Sequence, residues 1–348
     1  MTTPKISILM VGYKSSRFFP EFWKSLIEQD EISLMHDVEL LIYDSTISYC
    51  EYSNYLSFSD LHNYKEGEHG EEHIFAEIVK FSYPSLISLT ERQKGGLSYT
   101  QAINFLASQA QGDYLFILNP DTKFTYHKCI YRLLDLMDSQ PKAAATNLLV
   151  STQGFPKSNG GSNHVNILGG FGSGINPNVN NHCVLTLTGT AFVIRKSIWE
   201  SYYHGFNELF EMYGEETELS LRMAMHDEVV FGGYQTIWHE GAGSQSVKLK
   251  QFSPYRRYLT LRNNALMWGM HAKNLFWGLY ILRLLLIPVE YVALCFMGYP
   301  YRVTFPTYWK AFKDAITMLP KFRKTSTRQS FKLSEFQFLR RWLRLTFK

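Results

Sequence analysis

Cysteine is scarce in this 348-residue chain, and its four copies, Cys50, Cys129, Cys183 and Cys295, stand far apart. Such spacing supplies neither a zinc-type cluster nor a disulfide framework, and a reducing compartment is the simplest setting. A signal peptide is not visible either, because Met1–Lys5 runs straight into an apolar, strand-like segment. Clear repeats are missing, and so is an RNA-binding motif, so no nucleic-acid partner is expected. Where a Gly-rich basic phosphate loop would follow the first strand, the chain has Val11-Gly12-Tyr13-Lys14-Ser15 instead. Charge is modest at 19% of residues, whereas 45% are hydrophobic, enough to bury a sizeable core.

What is present is an alternation of two periodicities. Ile6–Val11 is an apolar run ending at Gly12-Tyr13, and Phe18, Phe22, Leu26 and Ile27 then recur at helical spacing within 17–29. Val38–Tyr43 is a second buried-strand pattern, ending at Asp44-Ser45, and Leu86–Thr90 a third. Ser98–Ala110 reads as a helix before a fourth strand, Tyr114–Leu118. Strand and helix in turn predict an α/β domain built on a parallel, doubly wound sheet. Residues 50–80 and 151–181 are polar or rich in Gly, Asn and Ser, and the second stretch reads as a mobile loop near the acceptor or as an ordinary surface loop.

Asn119-Pro120-Asp121 follows the fourth strand directly. Ligands of open α/β sheets bind beyond the carboxyl ends of such strands, so Asp121 projects where substrates collect. Proline stops the strand, and oxygen ligands on a tight turn suit a hard cation such as Mg²⁺; the plain alternative is a strand-terminating Asx turn. Lys94, Gly95 and Gly96 precede a helix whose first N–H groups could approach a phosphate, unless Lys94 is an ordinary solvated lysine.

The order Ile6 to Tyr13, Leu41-Ile42-Tyr43-Asp44-Ser45, Gly112-Asp113-Tyr114 and Leu118-Asn119-Pro120-Asp121 resembles the opening of family 2 glycosyltransferases, which have the GT-A fold. The similarity continues through Thr188-Gly189-Thr190, Gly205-Phe206-Asn207-Glu208, Glu215-Glu216-Thr217-Glu218, and His239-Glu240-Gly241, and spans about residues 5 to 265. Asn-Pro-Asp together with Arg262-Asn263-Asn264 most resembles the rhamnosyltransferase-like branch.

That resemblance implies a chemistry. A nucleotide-sugar breaks at its anomeric carbon, and a divalent cation, Mg²⁺ or Mn²⁺, offsets the charge developing on the leaving diphosphate. By the resemblance Asp121 holds the cation, Asn119 shapes its loop, Asp44 binds the nucleotide, and Gly12 with Tyr13 lines the same pocket. The second acid of Glu215-Glu216 is the base that takes the acceptor's proton, with Glu215 as the alternative; as plain structure, both suit the first turn of a helix. His239, after a strand-like 233–238, is placed near metal and diphosphate, or is a structural histidine. Gly189 allows close backbone approach on the acceptor side. Arg262 offers a forked donor to phosphate or is a helix-surface cation. Phe206, Tyr213 and Trp238 are candidate sugar-stacking rings. One attack assisted by one base implies inversion.

The last quarter differs in kind. From Lys273 to Lys348 there are 14 Lys/Arg and 3 Asp/Glu, net +11, against net −7 for residues 1–272. The apolar run Leu275–Met297 contains Arg283, Pro288 and Glu290 and fits a simple membrane span poorly. It reads as one or two interfacial helices, followed by basic-aromatic segments suited to an anionic membrane surface; a dimer interface or nucleic-acid surface is the competing use. The expectation is a catalytic part over 1–272, with a nucleotide half to about 122 and an acceptor half over 123–272, and a basic amphipathic helical region over 273–348. The resemblance implies dTDP-L-rhamnose as donor and a lipid-linked acceptor in O-antigen-like synthesis, peripherally on the cytoplasmic face of a bacterial inner membrane. A UDP-hexose donor, a nucleotidyltransferase and a non-catalytic glycan- or membrane-binding protein are the alternatives.

Overall fold

The computed structural model describes residues 5–12, 15–29, 38–44, 76–82, 85–91, 97–152, 155–158, 183–184, 186–200, 204–231, 236–240, 253–297 and 301–346. Its centre is the parallel trio β2 (Val38–Asp44), β1 (Ile6–Gly12) and β5 (Tyr114–Leu118), with β1 in the middle. Alternation sorts these strands' side chains onto two faces. Ile6, Ile8, Met10, Leu40, Ile42, Phe116 and Leu118 pack under α1 (Phe19–Ile27) and α3 (Cys129–Ser139). Leu9, Leu41, Tyr43, Leu115 and Ile117 face α2 (Tyr99–Gln109), which contributes Ala102, Ile103, Leu106 and Ala107. Both faces are covered, which is why the strands read as unbroken apolar runs. Ser98 starts α2 with a capping box shared with Gln101.

Beyond the trio the sheet is mixed, in the order β10-β12-β7-β11-β5-β1-β2-β3-β4. The α/β class and the flanking helices are as expected, and the expected parallel pairing holds for β2-β1-β5 and for β12 with β7. β3 (Ala76–Ser82) overlaps the end of the polar stretch 50–80, and it pairs antiparallel with both β2 and β4 (Ser85–Glu91). Two residues separate β3 from β4, and a parallel neighbour would need a crossover of a dozen or more. On the other side β11 (Ala191–Arg195) runs antiparallel between β5 and β7 (Ala143–Asn147). β12 (Val229–Phe231) is parallel to β7 and antiparallel to β10 (Cys183–Val184). A second sheet joins β6 (Thr122–Phe124), β13 (Thr236–His239), β8 (Leu149–Thr152) and β9 (Phe155–Ser158). The last two strands lie in or beside a stretch read as loop.

Helices complete the chain: α4 (Glu215–Met225), α5 (Pro254–His271), α6 (Leu275–Phe296), α7 (Tyr301–Thr317), α8 (Leu319–Lys324) and α9 (Glu335–Thr346). The apolar run after residue 274 is one helix with Pro288 inside it. Residues on both sides of 272 share one core: Phe210, Leu221 and Met225 cluster with Leu266 and Trp268 of α5, Phe276 of α6, Phe322 of α8 and Phe338 of α9. The carboxylate of Glu335 reaches back to accept the N–H groups of Lys273, Asn274 and Phe276 at 2.7–3.1 Å, capping α6 from 60 residues away in sequence.

Candidate active site

The site forms where β5 ends. Asn119 leaves the strand with its N–H on the Thr190 carbonyl, 3.0 Å away, and its own carbonyl accepts the Thr122 hydroxyl at 2.6 Å. Pro120 turns the chain, and β6 follows at once, paired antiparallel with β13 so that His239 stands opposite Thr122. This pairing brings His239 Nε2 to 3.1 Å from Asp121 Oδ1, and the Glu240 N–H donates to the Asp121 carbonyl at 2.9 Å. Both side chains are largely shielded yet reach solvent. A carboxylate oxygen and an imidazole nitrogen form a donor pair suited to Mn²⁺ or Mg²⁺ when phosphates and water complete the shell. Among the described residues no group of three or more such side chains gathers, so a cation held here would be shared with its ligand.

The turn Gly189-Thr190, next to Asn119, carries the site to Glu216. A Cβ placed on Gly189 would lie 3.2–3.4 Å from the Glu216 carboxylate carbon, its Cγ and its Oε1. A side chain here would press on the Glu216 carboxylate. Asn147 holds this segment from below: its side chain donates to the Thr186 carbonyl and accepts the Thr188 N–H, each at 2.8 Å. Ser220 of α4 accepts the Leu187 N–H, also at 2.8 Å, tying the turn to the helix that bears Glu216.

Glu215 and Glu216 open α4, where the free N–H groups and helix dipole favour anions. Glu216 is half-buried, accepting from the Gly214 N–H at 3.2 Å and from the Thr217 hydroxyl at 3.4 Å. Burial raises its pKa and these hydrogen bonds oppose the rise. Glu215 is only 5% exposed, and burial followed by the charge of Glu216 pushes its carboxyl well above the ordinary range. The Tyr99 phenol, at the start of α2, is raised by burial and by both glutamates. Of the two acids, Glu216 is the one positioned against the Gly189 turn.

The loop entering α4 is strained. Glu211 (φ 64°, ψ −60°) centres a three-residue turn closed by the Met212 N–H on the Phe210 carbonyl at 2.7 Å, and Tyr213 also has positive φ. Such turns cost energy and persist only when their surroundings hold them. Arg262 and Asn263 of α5 do so. Asn263 Nδ2 donates to the carbonyls of Phe210, Met212 and Tyr213 at 2.7–3.0 Å. Arg262 bonds Glu211 Oε1 at 3.0 Å, the carbonyls of Leu209 and Phe210, the Tyr258 hydroxyl and Asn263 Oδ1.

Arg262 is not a surface cation: it is 1% exposed, and its donors bond the loop before α4, Tyr258 and Asn263. Asn119, Asp121, His239, Gly189, Glu215 and Glu216 are brought together. Gly12 and Asp44 end neighbouring strands in register at the same carboxyl edge. Tyr13, Lys94 and Gly95 lie outside the described residues. Of the stacking candidates, Phe206 is core, with its ring centroid 5.0 Å from that of Trp199. Trp238 donates its indole N–H to Glu240. Tyr213 packs beneath α5. Asn263, Asn147 and Tyr99 were not singled out in sequence; the Arg-Asn-Asn triplet was the only signal for Asn263.

No family model matches this chain, and no curated protein matches it. Solved structures do. A mannosyltransferase from Pyrobaculum calidifontis in complex with GDP-Man and Mn²⁺ is 12% identical, with 99% of this chain and 87% of that one covered at a TM-score of 0.49. TarS 1-349 of S. aureus is 12% identical over 98% and 78%, at 0.44, and its complex with UDP-GlcNAc is 14% identical over 92% of each chain, at 0.46.

Proposed function

We propose that this chain is an inverting, metal-dependent glycosyltransferase that takes its sugar from a nucleotide donor. The observation that carries the reading is adjacency: the Asp121–His239 donor pair and the Glu216 carboxylate lie on either side of the Gly189-Thr190 turn, at the carboxyl edge of the parallel strands. A cation held by Asp121 and His239 would offset charge on the leaving diphosphate. Glu216 takes the proton of the acceptor hydroxyl while that oxygen bonds to the anomeric carbon and the bond to the diphosphate breaks. Its raised pKa suits a base that must hold a proton through the transition state. The clamp of Arg262 and Asn263 keeps the carboxylate aimed, and Gly189 leaves room for it.

The donor reading follows the resemblance to rhamnosyltransferases, with dTDP-L-rhamnose as the sugar nucleotide and a lipid-linked glycan as acceptor. The test is a donor screen with Mg²⁺ or Mn²⁺, reading released nucleoside diphosphate and the anomeric configuration of the product. Glu216→Gln is expected to cut transfer by about 10²-fold or more with donor affinity retained, and Asp121→Ala to weaken metal-dependent nucleotide binding. Released pyrophosphate would identify a nucleotidyltransferase instead. Binding of lipid-linked glycan without turnover of any nucleotide-sugar would identify a binding protein.

A further inference from the structure

α6 has two unlike faces. Phe276, Tyr280, Ile287 and Leu294 are buried, whereas Ile281, Leu285, Val289, Val292 and Phe296 are 50–87% exposed and succeed one another every three or four residues. They form one apolar stripe along the helix. α7, packed on α5 and α6, adds exposed Phe305, Trp309 and Ile316. Charge is kept off the stripe: Glu290 is paired with Arg257 of α5 and accepts from the Tyr308 hydroxyl of α7. Exposed Lys310, Lys313, Lys321 and Lys324 follow on α7 and α8, within a region of net charge +11. A contiguous apolar face of this kind needs a cover, and the charge beside it selects an anionic one.

Length alone would let α6 cross a membrane: it has 22 residues and a mean hydropathy of 2.0. Its inner face forbids this. Ile287 and Leu294 share a cluster with Tyr258, Leu259 and Tyr308, against which Met212 and Tyr213 of the loop before Glu215 are packed. Crossing would carry that loop's polar backbone and the Arg257–Glu290 pair into hydrocarbon.

We propose that the exposed faces of α6 and α7 dock on an anionic lipid bilayer, with α6 lying in the interface rather than spanning it. Docking then holds the loop before Glu215 one helix layer from the bilayer, where a lipid-linked acceptor, on the reading given above, is anchored. The docking itself does not depend on that reading, and its test needs no turnover. Full-length protein is floated with phosphatidylcholine vesicles with and without phosphatidylglycerol. Flotation is expected with the anionic vesicles, roughly tenfold weaker at high salt, and released by alkaline extraction. Leu285→Asp with Val289→Asp, both at exposed positions, should abolish it while nucleotide binding and melting temperature stay unchanged. Should that pair fail to fold, quenching of Trp309 by brominated lipid, lost in Trp309→Phe, reports the same contact in a folded chain. Equal flotation with neutral vesicles, flotation unaltered by the double substitution, or resistance to alkaline extraction overturns the proposal. Self-association abolished by the same substitutions, without vesicle binding, overturns it in favour of a second copy of the chain.

Discussion

At Gly189 one hydrogen atom leaves room for the carboxylate of Glu216. Alanine there would press its methyl to 3.2–3.4 Å from that group, and the backbone has no reason to resist the substitution, so the effect should be local. Gly189→Ala is expected to lower the transfer rate roughly 10-fold or more through a displaced base, with an unchanged melting temperature. A normal rate would show that Glu216 is not aimed across this turn. Glu215 makes the opposite kind of residue. Its folded pKa lies above the unfolded value near 4.5, so it contributes stability below that pH and loses the contribution as pH rises through the folded value. Glu215→Gln removes the penalty. The variant's advantage in melting temperature over the parent should therefore be absent at pH 4 and grow with pH, to roughly 2–4 °C. A constant difference from pH 4 to 8 would show that Glu215 titrates normally.

Among elements, α5 does what neither its position nor its composition announces. Two consecutive side chains from its middle hold the loop at 209–214, 50 residues earlier, by bonding backbone carbonyls. Asn263→Ala would leave the partly buried carbonyls of Met212 and Tyr213 short of a donor, at about 1–3 kcal/mol each before water or relaxation compensates, and would loosen a strained turn. Expected are a lower melting temperature and a fall in kcat with little change in donor affinity; an equal rise in KM alone would place Asn263 in substrate binding instead. Such a role was not legible in sequence, because a partner that is backbone carries no residue type. Arg262 shows the same limit: a forked donor looks alike on a surface, on a phosphate or in a core. The place of Asp121 was legible as the polar stop of an apolar strand, whereas Glu216 was marked only by the resemblance, since an acid in a first helical turn is ordinary structure. β1, β2 and β5 were legible from their runs. β3 was not, since Ala76–Ser82 mixes Glu77 and Lys80 with apolar residues on an edge hairpin.

Over the whole molecule, the charge asymmetry that divides the sequence near residue 272 does not divide the core. α4 and α5 bury Leu221, Met225 and Trp268 against Phe276, Phe322 and Phe338. Arg341 of α9 donates to the carbonyls of Ala224, in the last turn of α4, and of Glu228 beyond it. A chain ending at 272 would expose that cluster, each large side chain left in water costing about 1.5–3 kcal/mol. It is expected to precipitate, or to melt far below the full-length protein; a soluble fragment with the parental melting temperature would show two independent units.

The turn at Glu211 has a consequence for anyone who would alter what this chain accepts. Its geometry is imposed from behind, by a helix that also packs on α6, α7 and α8. Reshaping the pocket wall by substituting residues that face it leaves that imposition untouched. Changes in α5, by contrast, would shift the loop at 209–214 as a unit, so on the proposed reading a library meant to shift acceptor preference should be built around Tyr258, Arg262 and Asn263 as well as around Gly189 and Glu216.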